Sequence, residues 1–185
     1  MKIIFDLDDT LYSSKELREK RERKILEFLG NRSEEFLELR KSNTTIGSLS
    51  KLGINKETFF KIMEEVPINL NKDEKLIGIL KNLKERHKLI VLSSISYSCV
   101  KKSLEQLGII DLIDKFYGGD NFLTSKPSEE IFSIVEKGDI CVGNNFNKDL
   151  LIPKKKGAVT ILVSDKENPS PDFTIKSIYD IEEVI

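Results

Sequence analysis

The sequence predicts an α/β protein with a mainly parallel, Rossmann-like sheet flanked by helices and a separate helical insert. Two observations predict this class. Short apolar runs alternate with amphipathic stretches over most of the chain, which is typical of βαβ units. Between the first two of these runs, however, residues 6–87 show no convincing strand pattern. A parallel sheet with an all-helical insertion after its first strand accounts for both observations.

The strand candidates are apolar without alternation, which is typical of parallel strands covered on both faces. They are 2–5, 88–92, 115–118, 139–142 and 158–163, with a shorter one at 172–175. Two helices are predicted among the later strands. Residues 96–107 repeat apolar positions at helical spacing before Gly108, and 128–136 follows Pro127, which suits a first helical position.

The long interval after the first strand predicts several helices in succession. The helix candidates are 14–29, 33–41, 44–52, 56–65 and 72–86. A parallel crossover usually needs one helix, so 72–86 suits the crossover and the segment 14–76 suits a helical cap. The α/β core would then consist of 1–13 and 77–185.

Composition excludes several classes of partner. With 185 residues, 39% hydrophobic content and a formal net charge of −1, the chain gives no electrostatic argument for nucleic acid or an acidic membrane. The basic run at 15–24 is interleaved with glutamates, as on a solvated helix face. We see no signal peptide and no segment of about 20 apolar residues. Cys99 and Cys141 suit reduced core positions, so we expect a cytoplasmic protein, compatible with a monomer, and leave its oligomeric state open.

The absence of several catalytic motifs narrows the residue types that could carry a reaction. The one histidine, His87, lies in a turn before a strand and suits a surface position. The chain has no G-x-S-x-G elbow, no glycine-rich nucleotide loop and no C-x₅-R phosphate loop. The remaining candidates are carboxylates, lysines and hydroxyls.

Polar residues follow four of the predicted strands. Ligands of open α/β sheets bind outside the carboxyl ends of the strands. Asp, Ser and Asn favour loops in any protein, but four such sets at one sheet edge suit a phosphate ester held by a divalent cation. The residues are Asp6, Asp8, Thr10, Ser93, Ser94, Lys126, Asn144 and Asp149.

Four short motifs follow one another along the chain: DLDDTLY, LIVLSS, SKPSEEIF and CVGNNFNKD. In type and order they resemble the motifs of the haloacid dehalogenase superfamily in its phosphatase form, and DLDDTLY is similar to the D-x-D-x-T signature of that family. The resemblance covers the first thirteen residues and nearly everything from 77 to 165. The insert lies where the family carries a helical cap. Its stretch 39–63 is more loosely similar to the cap of the pyrimidine 5′-nucleotidase-like branch, which has Tyr-Gly-Thr-Thr where this chain has residues 42–45, Ser-Asn-Thr-Thr.

This resemblance implies a mechanism and a function. Asp6 would be the nucleophile that forms an aspartyl-phosphate, and Asp8 the general acid and base. Thr10, Ser93, Ser94 and Lys126 would serve phosphate binding. Mg²⁺ would be held by Asp6, Asp8 and Asn144, with Asp149 as a further metal residue. The expected function is a Mg²⁺-dependent phosphatase for a small phosphorylated metabolite, with nucleotide 5′-monophosphates among the candidates.

Asn144 departs from the family pattern, which has an aspartate there. An amide keeps an oxygen for the metal but loses a charge, so metal affinity should fall. The alternative is therefore a catalytically weakened member that binds a phosphorylated ligand or a partner protein. A phosphomutase would share every core residue, whereas a dehalogenase would leave Asp8 without a role.

Overall fold

The computed structural model describes residues 1–166 and 168–185. The chain divides into two compact units. The first contains Met1–Ser13 and Leu70–Ile185, and the second contains Ser14–Asn69. The sequence placed the end of the insert at 76, whereas the second unit ends at Asn69. The difference arises because the amides of Leu70 and Asp73 donate to Gln106 and to the carbonyl of Leu107, which ties the chain to the first unit before the next helix begins.

The first unit is built on one parallel sheet. Its strand order is β3-β2-β1-β4-β5-β6, and every neighbouring pair is parallel. The predicted Rossmann-like fold class is confirmed, and each predicted strand agrees with the structure to within one residue. The strands are β1 Lys2–Phe5, β2 Lys88–Leu92, β3 Lys115–Tyr117, β4 Ile140–Gly143, β5 Val159–Val163 and β6 Phe173–Ile175.

The second unit is all-helical. Its helices pack around a core of their own that includes Phe36, Leu49 and Met63. Two of its helices begin at side-chain caps, where Thr44 accepts from the amide of Gly47 and Asn55 from the amide of Thr58. The helices are α1 Lys15–Leu29, α2 Ser33–Arg40, α3 Thr45–Lys51 and α4 Lys56–Glu64.

Three further helices flank the sheet: α5 Glu74–Lys84, α6 Tyr97–Leu107 and α7 Leu151–Lys155. A π-helical turn, Phe146–Leu150, precedes α7. Pro153 has no amide proton to donate to the carbonyl of the residue four positions earlier. The turn is wider there, with the amide of Leu151 bound to the carbonyl of Phe146.

The predicted helix over 128–136 is wrong. The structure has only a 3-10 turn, Ile131–Ile134. The carboxylate of Glu130 accepts hydrogen bonds from the backbone amides of Leu123 and Thr124, at 2.8 and 2.9 Å. These bonds, to residues seven and six positions earlier, anchor the chain to the preceding loop, and a helical pattern in the sequence does not reveal them.

No helix in the described part of the chain combines the length and apolarity needed to cross a membrane.

Candidate active site

The site lies where the strand order reverses direction, between β1 and β4. The chain leaves β1 toward β2 on one side, while β4 lies on the other. The amide of Asp6 donates to the carbonyl of Val142 at 2.8 Å, which extends the β1–β4 ladder by one residue. The loops after these two strands therefore begin side by side, as expected for a ligand site in this fold.

A buried group of three charges occupies this edge. The Nζ of Lys126 lies 2.7 Å from Oδ1 of Asp6 and 3.0 Å from Oδ1 of Asp149. All three residues are at most 5% exposed. Three of the residues that the sequence placed at this edge are thus in direct contact, although Asp6 and Lys126 are 120 positions apart.

Electrostatics within this group are unbalanced, because one cation faces two carboxylates. Burial alone would lower the pKa of Lys126, but the charges of Asp149 and Asp6 outweigh it and raise this pKa above its usual range. Burial and the charge of Asp6 raise the pKa of Asp149, and Lys126 offsets them only in part. With all three groups ionised the cluster carries a net negative charge, which favours a further cation.

Asp8 has a partner that the sequence did not suggest. The hydroxyl of Tyr12 donates a hydrogen bond to Oδ1 of Asp8. Asp9 between them has a positive φ of 58°, an uncommon conformation that aspartate tolerates better than most residues. The tyrosine is visible in the motif DLDDTLY, but the contact depends on this turn, which no periodic pattern predicts.

The hydroxyl residues of the site have distinct environments. Thr10 is buried, and its Oγ1 donates to Oδ2 of Asp6 over a long 3.4 Å. Ser93 is fixed by its amide, which donates to the carbonyl of Tyr117 at 3.0 Å, while its Oγ accepts from the amide of Ile95 at 3.4 Å. Among the described residues, the buried Oγ of Ser94 has no hydrogen-bond partner. That orphaned hydroxyl suits a ligand oxygen.

The loop after β4 is tightly built. A Cβ added at Gly143 would lie 2.6 Å from the Cβ of Asp149, so only glycine allows this approach. The backbone amide of Asn145 donates to Oδ2 of Asp149 at 3.3 Å, and the side-chain Oδ1 of Asn145 accepts from the backbone amide of Lys148 at 3.1 Å. The side chain of Asn145 is therefore committed to the loop, which leaves half-buried Asn144 as the amide candidate for a metal.

The donor set fits Mg²⁺. Among the described residues there is no group of three or more His, Cys, Asp or Glu side chains that could enclose a metal. Mg²⁺ does not need one, because it keeps several waters and is usually held by one or two carboxylates plus substrate phosphate. Asp6, the carbonyl of Asp8 and the amide of Asn144 offer such oxygens. The carboxylate of Asp149 is taken by Lys126 and Asn145, so it would act through water.

The other reactive residue types lie outside this cluster. His87 is half-buried in the turn that enters β2, at the opposite end of that strand. Burial and the charge of Arg86 lower its pKa. Cys99 and Cys141 are free and buried, as expected, and burial raises the pKa of the Cys141 thiol to about 12.

Comparison with known proteins decides the family. The sequence model of the family described as haloacid dehalogenase-like hydrolase matches residues 3–139. The chain belongs to this family. Its match includes Asp6, Asp8, Ser93 and Lys126. A search of curated proteins found no match.

Solved structures match nearly the full length of this chain in fold at low sequence identity. A HAD phosphatase from Thermococcus onnurineus is 20% identical, with a TM-score of 0.73 over 100% of this chain and 97% of that one. A Bacillus subtilis protein described as the HAD-hydrolase YfnB, bound to magnesium, is 13% identical, with a TM-score of 0.70 over 99% and 97%. L-2-haloacid dehalogenase from Xanthobacter autotrophicus is 16% identical, with a TM-score of 0.64 over 98% and 96%. At these identities the likeness shows the fold of this HAD-family chain, and its reaction must be argued from the site.

Proposed function

We propose that this HAD-family hydrolase is a Mg²⁺-dependent phosphatase that cleaves a small phosphomonoester through an aspartyl-phosphate. The arrangement of Asp6 and Asp8 carries the proposal. Asp6 is buried beside the ammonium of Lys126, which would offset the charge of a phosphoryl group transferred to this carboxylate. Asp8, two residues later, is half-buried and separately held by Tyr12.

In the first step a carboxylate oxygen of Asp6 attacks phosphorus. Oδ2 is the better candidate, since Oδ1 is bound to Lys126 at 2.7 Å, whereas among the described residues Oδ2 accepts the long bond from Thr10 alone. The phosphorus–oxygen bond of the ester breaks, and Asp8 gives its proton to the leaving alkoxide. A carboxylate nucleophile has no proton to lose, so no histidine is needed.

In the second step water attacks the aspartyl-phosphate. Asp8, now a carboxylate, takes a proton from that water. The new phosphorus–oxygen bond forms as the bond to Asp6 breaks, which releases inorganic phosphate and restores the Asp6 carboxylate. Ser93, Ser94 and Lys126 would donate to phosphoryl oxygens in both steps. Mg²⁺, held by Asp6, Asp8 and Asn144, would neutralise phosphoryl charge.

Asp8 separates this reaction from dehalogenation, which some neighbours of the same fold perform. A departing halide needs no proton, so an acid placed two residues after the nucleophile would have no task. An alkoxide is a poor leaving group and needs one.

Asn144 supports a second candidate, a weakened family member that binds a phosphorylated ligand or a partner protein without efficient turnover. One assay distinguishes the two candidate functions. We expect slow hydrolysis of an aryl phosphate with Mg²⁺ and none in excess chelator. Undiminished turnover in chelator would contradict the metal assignment. Binding of phosphate esters without any turnover would favour the second candidate.

The covalent step has its own test. Asp6→Asn should abolish turnover while leaving the fold intact, because an amide has the same shape but is a poor nucleophile. Asp8→Asn should slow both steps and let a phosphoenzyme accumulate, detectable by acid quenching after incubation with labelled substrate. Substantial activity in Asp6→Asn would exclude the aspartyl-phosphate route.

We further propose that the helical unit selects the substrate, as a cap inserted directly after the nucleophile strand. Thr44 caps α3, so its replacement would also disturb the helix. Thr45, the first residue of α3, is the better position to vary. Substitutions there should change the relative rates among a panel of phosphometabolites, nucleotides included.

A further inference from the structure

A tight turn after β1 fixes the geometry of Asp8. The carbonyl of Leu7 accepts from the amides of Thr10 and Leu11, at 3.3 and 3.0 Å. Leu7 and Leu11 are both fully buried, so the core holds the turn at two points. With Asp9 in its left-handed conformation, the turn brings Tyr12 opposite Asp8 in a bridge.

This turn delivers the hydroxyl of Tyr12 to one oxygen of Asp8. The hydroxyl donates to Oδ1, so Oδ1 serves as the acceptor. A hydroxyl that donates to Oδ1 disfavours a proton on that atom, so in the acid form of Asp8 the proton would lie on Oδ2. In catalytic histidines, a hydrogen bond at one ring nitrogen commonly determines which of the two nitrogens carries the proton. The same reasoning applies to a carboxyl group.

We propose that Tyr12 is a positioning residue that makes Oδ2 of Asp8 the oxygen that transfers protons. In the first step the O–H bond at Oδ2 breaks as the leaving oxygen takes that proton. In the second step Oδ2 takes a proton from the attacking water. Tyr12 itself neither gains nor loses a proton. This inference rests on the proposed phosphatase function and extends it.

One measurement distinguishes this proposal from a purely structural role of Tyr12. It is how the loss of kcat/KM in a Tyr12 variant depends on the leaving group of the substrate. Nitrophenolate departs readily without a proton, whereas phenolate and alkoxides with higher pKa values need one. The value of kcat/KM reports the first step, from free enzyme to aspartyl-phosphate. Misplacing the proton on Asp8 should therefore slow poor leaving groups selectively, whereas general loosening of the site should slow all of them.

The experiment compares Tyr12→Phe with the parent on a series of substituted phenyl phosphates that includes p-nitrophenyl phosphate. Tyr179→Phe is the matched control, because the hydroxyl of Tyr179 also donates to an aspartate, Asp73, at 2.6 Å but in the C-terminal region beside α5. Thermal unfolding of each variant checks that the fold is retained. Asp8→Asn and the double variant complete a mutant cycle.

We expect Tyr12→Phe to lower kcat/KM about tenfold for phenyl phosphate, part of what a general acid contributes, and less than about twofold for p-nitrophenyl phosphate. Tyr179→Phe should change neither value. In the Asp8→Asn background, Tyr12→Phe should have no further effect on the ratio of the kcat/KM values for the two substrates.

Two results would overturn the inference. Equal losses on both substrates would give Tyr12 a structural role, and a selective loss that persists in Asp8→Asn would place its effect elsewhere. Absence of Asp6-dependent turnover in the parent is a different result. It would overturn the proposed phosphatase function, and the role of Tyr12 with it.

Discussion

The ammonium of Lys126 lies 3.0 Å from a carboxylate oxygen of Asp149, and both side chains are 2% exposed. A buried ion pair contributes little net stability when intact, but removing one partner leaves an uncompensated charge. Lys126 also contacts Asp6, so the loss of Lys126 leaves two buried carboxylates without a cation. The same contact that prepares the site for a phosphoryl group therefore makes the fold depend on Lys126.

We expect Lys126→Met to lower the free energy of unfolding by about 3–5 kcal/mol, measured by urea denaturation. Asp149→Asn should cost less, because a neutral pair of Lys126 and Asp6 remains. Lys154→Met is the control, since Lys154 pairs with Asp172 with both side chains more than a third exposed. Such surface pairs contribute about 0–1 kcal/mol. Equal effects of the two lysine substitutions would contradict this account.

Glu130 should matter to catalysis through the loop that carries Lys126. Its carboxylate accepts from the amides of Leu123 and Thr124 and, at 2.6 Å, from Oγ1 of Thr124. Glu130→Ala removes these bonds, each made to a charged acceptor, and should loosen the loop just before the lysine. We expect a several-fold loss of kcat/KM and a lower melting temperature.

The control for this prediction is Glu129→Ala, at the exposed neighbouring position. Glu129→Ala removes one negative charge at the neighbouring position but keeps the Glu130 carboxylate that accepts hydrogen bonds from the loop. Should both variants lose activity equally, the effect would be one of charge and not of loop anchoring.

Asp172 should give the sheet edge an acid-dependent stability. Burial alone would raise the pKa of Asp172, but hydrogen bonds from Thr160 and the charge of Lys154 outweigh it and lower this pKa to about 2. A carboxyl whose pKa is lower in the folded state stabilises the fold above its ordinary value of 3.8, and this stabilisation is lost as pH falls toward 2.

Asp172→Asn should therefore lower the melting temperature by a few degrees at pH 7, and the difference from the parent should shrink between pH 4 and pH 2. Differential scanning calorimetry across this range measures it. Asp165→Asn, at an exposed position, should show no such trend. A difference independent of pH would mean that the substitution acts through packing alone.

The sequence predicted the sheet well because buried parallel strands are continuous apolar runs, and β1 and β2 match their predicted bounds. It also placed Asp6, Lys126 and Asp149 at one edge, since the carboxyl ends of parallel strands share an edge whatever the order of the strands. It missed the hydrogen bond from Tyr12 to Asp8 because that contact depends on the left-handed φ of Asp9. It overestimated the helix after Pro127 because Glu130 bonds to residues outside any periodic pattern.

Asn144 offers the sharpest test of the metal assignment. A carboxylate ligand attracts Mg²⁺ by a full charge, whereas an amide offers a dipole. Asn144 is half-buried, so the gain is screened by solvent, and a change of about 1.4 kcal/mol corresponds to tenfold in affinity. Asn144→Asp should thus lower the Mg²⁺ concentration needed for half-maximal activity by about tenfold. Calorimetric titration with Mg²⁺ should show the same shift without substrate.

The same substitution should destabilise the metal-free protein, because a new carboxylate joins Asp6 and Asp8. Mg²⁺ should therefore raise the melting temperature of Asn144→Asp more than that of the parent. Asn147→Asp, at an exposed position in the same loop, controls for the added charge alone. If Asn144→Asp needs as much Mg²⁺ as the parent, or if Asn147→Asp matches its gain, Asn144 is not a direct ligand of the metal.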